Sequence, residues 1–222
     1  MVDLKRRLVA EFLGTAFLLA AVVGSGIMGE KLAGGNEAVA LLVNTLATGT
    51  ILVALIYSFA PISGAHFNPV VTLAFASRYR FGWKEVPFYV LAQFAGATLG
   101  IVSAHGMFGA PAIFWSHHVR AGAPQILSEA IATFGLLLII WAPSRRGGST
   151  ISVGAYITAA YWFTSSTSFA NPAVTVARMM SDTFTGIRPA DAPAFICAQL
   201  VGAGAATLLS RWFLPHKDAL EE

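Results

Sequence analysis

The chain has 222 residues, of which 56% are hydrophobic and only 11% are charged, and its mean hydropathy is +0.67. In soluble domains about a quarter of the residues are charged, so this composition excludes an ordinary water-soluble protein and indicates that lipid is the main solvent. The formal net charge of +3 does not support nucleic-acid binding, because the distribution of Lys and Arg in a membrane protein reports orientation instead.

Six apolar runs are long enough, or nearly so, to cross a bilayer. They lie at about residues 8–29, 38–60, 86–107, 125–142, 151–164 and 192–214. Basic residues precede the first run, as in a signal peptide, but its length of roughly 20 residues favours a retained span. Two further apolar stretches, near 66–77 and 169–180, are too short to span and indicate re-entrant segments.

The basic residues favour an orientation with both termini in the cytoplasm. With the N-terminus inside, ten Lys and Arg fall on the inner side and four on the outer side, which agrees with the excess of positive charge in cytoplasmic loops. The inner residues are Lys5, Arg6, Arg7, Arg78, Arg80, Lys84, Arg145, Arg146, Arg211 and Lys217, and the outer ones are Lys31, Arg120, Arg178 and Arg188.

An internal repeat divides the chain into halves at about residues 1–122 and 123–222. Three landmarks recur in the same order, namely Glu11 and Glu129, Asn68-Pro69 and Asn171-Pro172, and Gln93 and Gln199. Each half has three spans, so the second half enters the membrane from the opposite side and the repeat is inverted. The predicted fold class is an all-α membrane protein, with six transmembrane helices and two re-entrant half-helices in a single channel domain, residues 1–222.

The two Asn-Pro pairs predict the starts of the half-helices. Asn is a strong N-cap and Pro fits the first helical position, so Asn68-Pro69 and Asn171-Pro172 direct the positive ends of two helix dipoles at the membrane centre. Water or a hydroxyl group accepts hydrogen bonds from the two Asn amides, whereas a cation or proton meets an electrostatic barrier. The pattern predicts a passive pathway for small neutral solutes.

With six spans, the motifs Asn68-Pro69-Val70 and Asn171-Pro172-Ala173 resemble the aquaporin or major intrinsic protein family over nearly the whole chain. Val70 departs from the family pattern, which usually has Ala at this position. The resemblance implies a homotetramer with one pore per subunit, placed in lipid in a bacterial inner (plasma) membrane. The predicted spans contain no nucleophile–base pair and no metal-ligand cluster, so we expect no enzymatic activity, cofactor or metal site.

Glu11 and Glu129 are ionisable groups inside predicted spans, which makes them functional candidates. The resemblance implies that each carboxylate accepts hydrogen bonds from the backbone of the adjacent re-entrant loop. The alternative is a carboxylate near a helix end that reaches the headgroups. A competing hypothesis of another class is an ion- or proton-coupled transporter in which these two carboxylates carry charge.

Small residues on the third and sixth spans predict close helix packing. The glycines concerned are Gly96, Gly100, Gly202 and Gly204. The single cysteine, Cys197, is predicted to be a small buried hydrophobe.

The predicted selectivity filter departs from the family pattern. Most family members have an Arg three residues after the second-motif Asn, where this chain has Val174. Counting from the motifs, the remaining filter positions are Thr48, Ser168 and one of Ala159, Ala160 and Tyr161. Either alanine predicts a constriction wider than a water filter, whereas Tyr161 would narrow it.

Arg178 lies one helical turn beyond Val174 and has two possible roles. It either reaches back into the pore vestibule or forms an exposed ion pair with Asp182 at position i+4. The Arg-free filter and the segment from Tyr161 to Arg178 resemble bacterial aquaglyceroporin-type channels associated with arsenic resistance. That resemblance implies passage of water, glycerol-like polyols and uncharged arsenite, As(OH)3. A water-selective channel is the alternative.

Overall fold

The computed structural model describes residues 2–78, 81–142 and 148–213. Within them the chain is helical, with α1 Leu4–Leu32, α2 Glu37–Ser63, α3 Pro69–Ser77, α4 Val86–Phe108, α5 Ala123–Trp141, α6 Gly148–Phe163, α7 Pro172–Arg178 and α8 Ala192–Phe213. The basic residues Arg80, Arg145, Arg146 and Lys217, which support the predicted orientation, lie outside the described residues.

The six long helices correspond to the six predicted spans. Five of them, α1, α2, α4, α5 and α8, are long and apolar enough to cross a membrane. Helix α6 has 16 residues, so it is about 24 Å long. The two short apolar stretches form α3, with 9 residues, and α7, with 7 residues, neither of which could span a bilayer.

The helix packing follows the inverted repeat. Helix α1 packs on α2 and α4, and its counterpart α5 packs on α6 and α8, while α2 and α6 pack on each other. Each short helix crosses to the other half, because α3 contacts α8 and α7 contacts α4, and the two short helices also contact one another. The packing therefore brings both Asn-Pro motifs to the middle of the bundle.

Close contacts of α1 with Gly96 and Gly100, and of α5 with Gly202, hold each half together. A Cβ atom added at Gly96 would overlap the backbone carbonyl of Phe12 in α1, and one added at Gly202 would overlap the carbonyl of Ala130 in α5. Gly204 does not pack in this way, since an added Cβ would meet nothing within 4 Å. Two residues correspond to about 200° of rotation, so Gly204 lies on the opposite side of α8 from Gly202.

The prediction of a buried cysteine is also wrong, because Cys197 is exposed. It precedes the fully buried Gln199 by two residues on α8 and therefore lies on the opposite, outward face of the helix.

Candidate functional site

Two asparagines cap the short helices at their inner ends. Asn68 Oδ1 accepts a hydrogen bond from the backbone N–H of Val70 at 3.1 Å. Asn171 Oδ1 accepts bonds from the N–H groups of Ala173, at 2.9 Å, and Val174, at 3.3 Å. Each helix starts with its proline, Pro69 or Pro172, at the first position, so both positive dipole ends lie beside the asparagines.

The asparagine amides also join the two motifs to each other. Asn68 Nδ2 donates to the carbonyl of Ala170 at 2.8 Å, and Asn171 Nδ2 donates to the carbonyl of Phe67 at 2.8 Å. The tips of the two re-entrant segments are therefore in direct contact. Each amide nitrogen has two N–H groups, and these bonds use one of each pair, so a second donor on each side chain is left for a passing molecule.

The loops before both asparagines have unusual backbone conformations. Five non-glycine residues have positive φ angles of 47–61°, namely Ala65, Phe67, Thr167, Ser168 and Ala170. Such conformations cost on the order of 1–3 kcal/mol each and persist only where the surroundings impose them. A buried carboxylate imposes them in each half.

Glu11, which is fully buried, organises the first loop through four hydrogen bonds. One carboxylate oxygen accepts from Ser63 Oγ at 2.7 Å and from His66 N at 2.9 Å, and the other accepts from Phe67 N at 2.7 Å and Gln93 Nε2 at 2.8 Å. The carboxylate therefore contacts the loop backbone and does not reach the headgroups.

Glu129 makes the equivalent bonds in the second half. Its oxygens accept from Ser166 Oγ at 2.6 Å, Phe169 N at 2.8 Å, Ala170 N at 2.9 Å and Gln199 Nε2 at 2.7 Å. Neither Glu129 nor Glu11 lines the cavity described next. Each carboxylate therefore bonds to the backbone of a loop and lies off the cavity.

A cavity of about 230 Å³ lies along the centre of the bundle, and both asparagines line it. Its wall is mainly aliphatic, with one or more residues from α1, α2, α5 and α6 on all sides of the motifs. Representative wall residues are Leu18, Val22, Leu52, Ile56, Leu136 and Val153. In a cavity with an apolar wall and a few polar groups, a small solute finds hydrogen-bond partners only at defined positions.

Of the three candidates for the fifth-span filter position, Tyr161 is the one that lines the cavity. Thr48, Tyr161, Ser168 and Val174 all line the cavity, and the Tyr161 hydroxyl donates to Thr48 Oγ1 at 3.2 Å. Neither predicted alanine lines it. Ala159 is exposed, and Ala160 is buried away from the cavity, with its carbonyl bonded to the Thr164 hydroxyl at 2.6 Å.

The orientation of α6 explains why Tyr161, and neither alanine, lines the cavity. Tyr161 follows Ile157 by four residues, so the two side chains lie on the same helix face, and Ile157 also lines the cavity. A tyrosine ring, and not an alanine methyl group, therefore lies at this level of the cavity.

Arg178 is turned inward and does not pair with Asp182. It is 1% exposed, lines the cavity and donates from Nε to the carbonyl of Thr185, and its guanidinium carbon lies 3.4 Å from the centre of the Phe169 ring. The Asp182 carboxylate instead accepts bonds from His117 N, at 2.8 Å, and Nδ1, at 3.0 Å. The backbone N–H of His117 is the main reason that the pKa of Asp182 is lowered.

Arg120 is a second buried cation near the site, although its place in the sequence marks it only as one of the outer basic residues. Its side chain donates to the carbonyls of Gly186 at 2.8 Å, Ser166 at 3.2 Å and Phe184 at 3.4 Å. Burial lowers the pKa of Arg120 to about 10, so it stays charged at neutral pH. No local motif marks this residue, since its partners are backbone atoms distant in sequence.

Comparison with known proteins identifies a family. The family model described as major intrinsic protein matches residues 1–150. The chain is 53% identical over 214 residues to a protein named aquaglyceroporin AqpS from Rhizobium meliloti (strain 1021), an alignment that covers 96% of this chain and 91% of the relative. It is 36% identical to aquaporin NIP1-1 of Zea mays over 61% of this chain and 48% of that protein.

A solved structure has the same fold. The aquaglyceroporin from Plasmodium falciparum superposes with a TM-score of 0.74, covering 95% of this chain and 96% of the other at 21% sequence identity. At this identity the match supports the fold alone. Together with the helix arrangement, it confirms the predicted all-α class with six spans and two half-helices.

Proposed function

Because the chain belongs to the major intrinsic protein family, we propose that it is a passive membrane channel for water and small neutral solutes such as glycerol. The observation that carries this proposal is the contact of the two motif tips, with Asn68 and Asn171 lining one central cavity. The name of the Rhizobium meliloti relative supports a solute range that includes glycerol. The channel is one domain, whose halves meet at the two tips.

Charge selectivity follows from the two opposed helix ends. Each half-helix contributes the equivalent of up to about half a positive charge at its N-terminus. A neutral solute accepts hydrogen bonds from the free amide N–H groups of Asn68 and Asn171, whereas a cation is repelled from both sides. The carboxylates of Glu11 and Glu129 each have four hydrogen-bond donors and lie off the cavity, which argues against their carrying ions or protons.

The filter consists, in this proposal, of Thr48, Tyr161, Ser168 and Val174. Tyr161 narrows it, and the Thr48–Tyr161 hydrogen bond fixes the ring. Among the described residues Ser168 Oγ has no hydrogen-bond partner although it is buried, so a solute hydroxyl is a suitable partner for it. Uncharged arsenite, As(OH)3, presents hydroxyl groups as a polyol does and belongs to the same solute class.

Arg178 supplies the cation that the family pattern places at the position of Val174. Its bond to the Thr185 carbonyl uses Nε, and the contacts among the described residues leave its terminal amino groups for a solute in the cavity. Stacking on Phe169 holds the guanidinium in place. Arg178 therefore adds a hydrogen-bond donor beside a filter that has Val174 in place of the usual Arg.

The first experiment measures solute flux in proteoliposomes by stopped-flow light scattering. We expect water, glycerol and arsenite to equilibrate without electrical current. Tyr161→Ala is expected to raise glycerol flux relative to water, because it removes the ring from the filter. Tyr57→Ala is the matched control, since Tyr57 is 76% exposed on the outside of the bundle.

Two outcomes would contradict this function, and a third would contradict the filter assignment. Accumulation of solute against its gradient, together with a current, would favour a coupled transporter. Flux of water alone would favour the water-selective alternative. Equal glycerol-to-water ratios in Tyr161→Ala and Tyr57→Ala would exclude Tyr161 from the filter.

The protein is an integral membrane protein, and we further propose a homotetramer in a bacterial inner membrane with cytoplasmic termini. Bonds between Arg7 and Glu85, at 2.6 Å, and between Arg211 and the Ser77 carbonyl, at 2.6 Å, support a single membrane surface that carries the ends of α1, α3, α4 and α8. Most basic residues of the described chain belong to this surface, which supports a cytoplasmic location for it. Native mass spectrometry of the purified protein tests the tetramer.

A further inference from the structure

A second cavity, of about 300 Å³, lies on the outside of the bundle between α3 and α8. We refer to it as the α3–α8 groove. Its wall is largely aliphatic and open, because Leu208 is 66% exposed and an atom added at Gly204 would meet nothing within 4 Å. Residues at its wall and end are Leu73, Leu200, Gly204, Leu208, Trp83 and Arg211.

In the other half of the inverted repeat, a loop covers the region that corresponds to the α3–α8 groove. His105 follows Gln93 by 12 residues, as Arg211 follows Gln199, so the two occupy equivalent positions. His105 is fully buried and bonds Ser181 Oγ at 2.8 Å, and its ring centre lies 4.7 Å from that of Phe114, a loop residue. Within residues 2–78, 81–142 and 148–213 no such loop covers Arg211, which is exposed. The groove is therefore open where its counterpart is closed.

Charge and shape together identify the occupant. Arg211 lies at the end of the apolar groove, at the membrane surface that also carries the exposed Lys84 and Trp83. Its guanidinium has five N–H donors, of which one is used on the Ser77 carbonyl. A protein helix in the groove would bury this cation without an anion, which is costly. A phospholipid, in which glycerol joins the acyl chains to a phosphate, matches both features.

We propose that the α3–α8 groove binds an anionic phospholipid. Its acyl chain lies along Leu73, Leu200 and Leu208, and Arg211 binds its phosphate. Trp83, at the same end, provides an indole at the depth of the headgroups. The site is separate from the central cavity and does not depend on the channel function.

Native mass spectrometry of the delipidated protein tests the proposal, with phosphatidylglycerol and phosphatidylcholine of identical acyl chains as probes. We expect the unmodified protein to bind phosphatidylglycerol about fivefold more tightly, as one surface cation predicts. Arg211→Gln should abolish that preference, and Arg211→Lys should retain it. Gly204→Leu should weaken binding of both lipids, because the new side chain fills the groove.

Two substitutions away from the groove serve as matched controls. Lys31→Gln removes an exposed cation at the end of α1, on the opposite membrane surface, and Gly106→Leu adds a side chain to another open position, on α4. Both should bind lipid as the unmodified protein does. An unaltered preference in Arg211→Gln, or unaltered binding in Gly204→Leu, would overturn the proposal. A changed subunit number in Gly204→Leu would also overturn it, since the groove would then be a contact between copies of the chain.

Discussion

Replacing Glu129 with Gln tests how the second re-entrant loop is held. The substitution keeps the shape of the side chain but replaces one acceptor oxygen with an NH2 group. If the amide nitrogen takes the position of Oε2, it faces the donors Ala170 N and Gln199 Nε2, which lie 2.9 Å and 2.7 Å from that oxygen. Two buried hydrogen bonds are then lost and two donors are left without an acceptor.

The expected loss of stability follows from these contacts. A hydrogen bond to a charged group contributes about 1.5–3 kcal/mol, so two of them amount to about 3–6 kcal/mol. That is a large part of the roughly 5–15 kcal/mol by which a protein is typically stable. For a chain of this length, about 2–4 °C per kcal/mol predicts a fall in the unfolding midpoint of about 6–24 °C.

Thermal unfolding of the detergent-solubilised protein, followed by tryptophan fluorescence, measures this change. Glu30→Gln is the matched control, since Glu30 is an exposed carboxylate near the end of α1. Because Glu11 makes the equivalent four bonds in the first half, Glu11→Gln should cause a fall of similar size. If Glu129→Gln unfolds at the same temperature as Glu30→Gln, the carboxylate does not stabilise the loop as argued.

Three further predictions concern the filter, helix packing and pH. Val174→Arg should greatly reduce glycerol flux in proteoliposomes while water flux continues, and unchanged glycerol flux would show that the filter lies elsewhere. Gly202→Ala should lower the unfolding midpoint by the equivalent of about 1–3 kcal/mol, because its Cβ overlaps a carbonyl of α5, whereas Gly204→Ala should not lower it. The hydrogen bond from Arg188 lowers the pKa of Asp191 below its ordinary value of about 3.9. The stabilisation that ionised Asp191 gives the folded protein is complete at pH values above the ordinary pKa. It is lost as pH falls through the lower pKa of the folded state. Asp191→Asn should therefore unfold at a lower temperature than the parent at pH 7, and the difference should disappear in strong acid; a constant difference would contradict the role of its charge.

The sequence alone determined the fold class, the spans and the two motifs, because these depend on local signals. Span length is set by the bilayer, and an Asn-Pro pair specifies a helix start through its own side chain and ring. The repetition of Glu11 at Glu129 and of Gln93 at Gln199 showed the inverted arrangement without any knowledge of contacts. These features depend on chain order and on local chemistry.

Only the tertiary structure decided which way particular side chains point. A membrane helix is apolar towards lipid as well as towards protein, so its sequence does not report its rotation about its own axis. The position of Tyr161 at the cavity, with Ala159 and Ala160 away from it, depends on that rotation, and so does the outward position of Gly204. The inward turn of Arg178 depends on the carbonyl of Thr185 and the ring of Phe169, contacts that exist only once the loops are folded around the short helix α7.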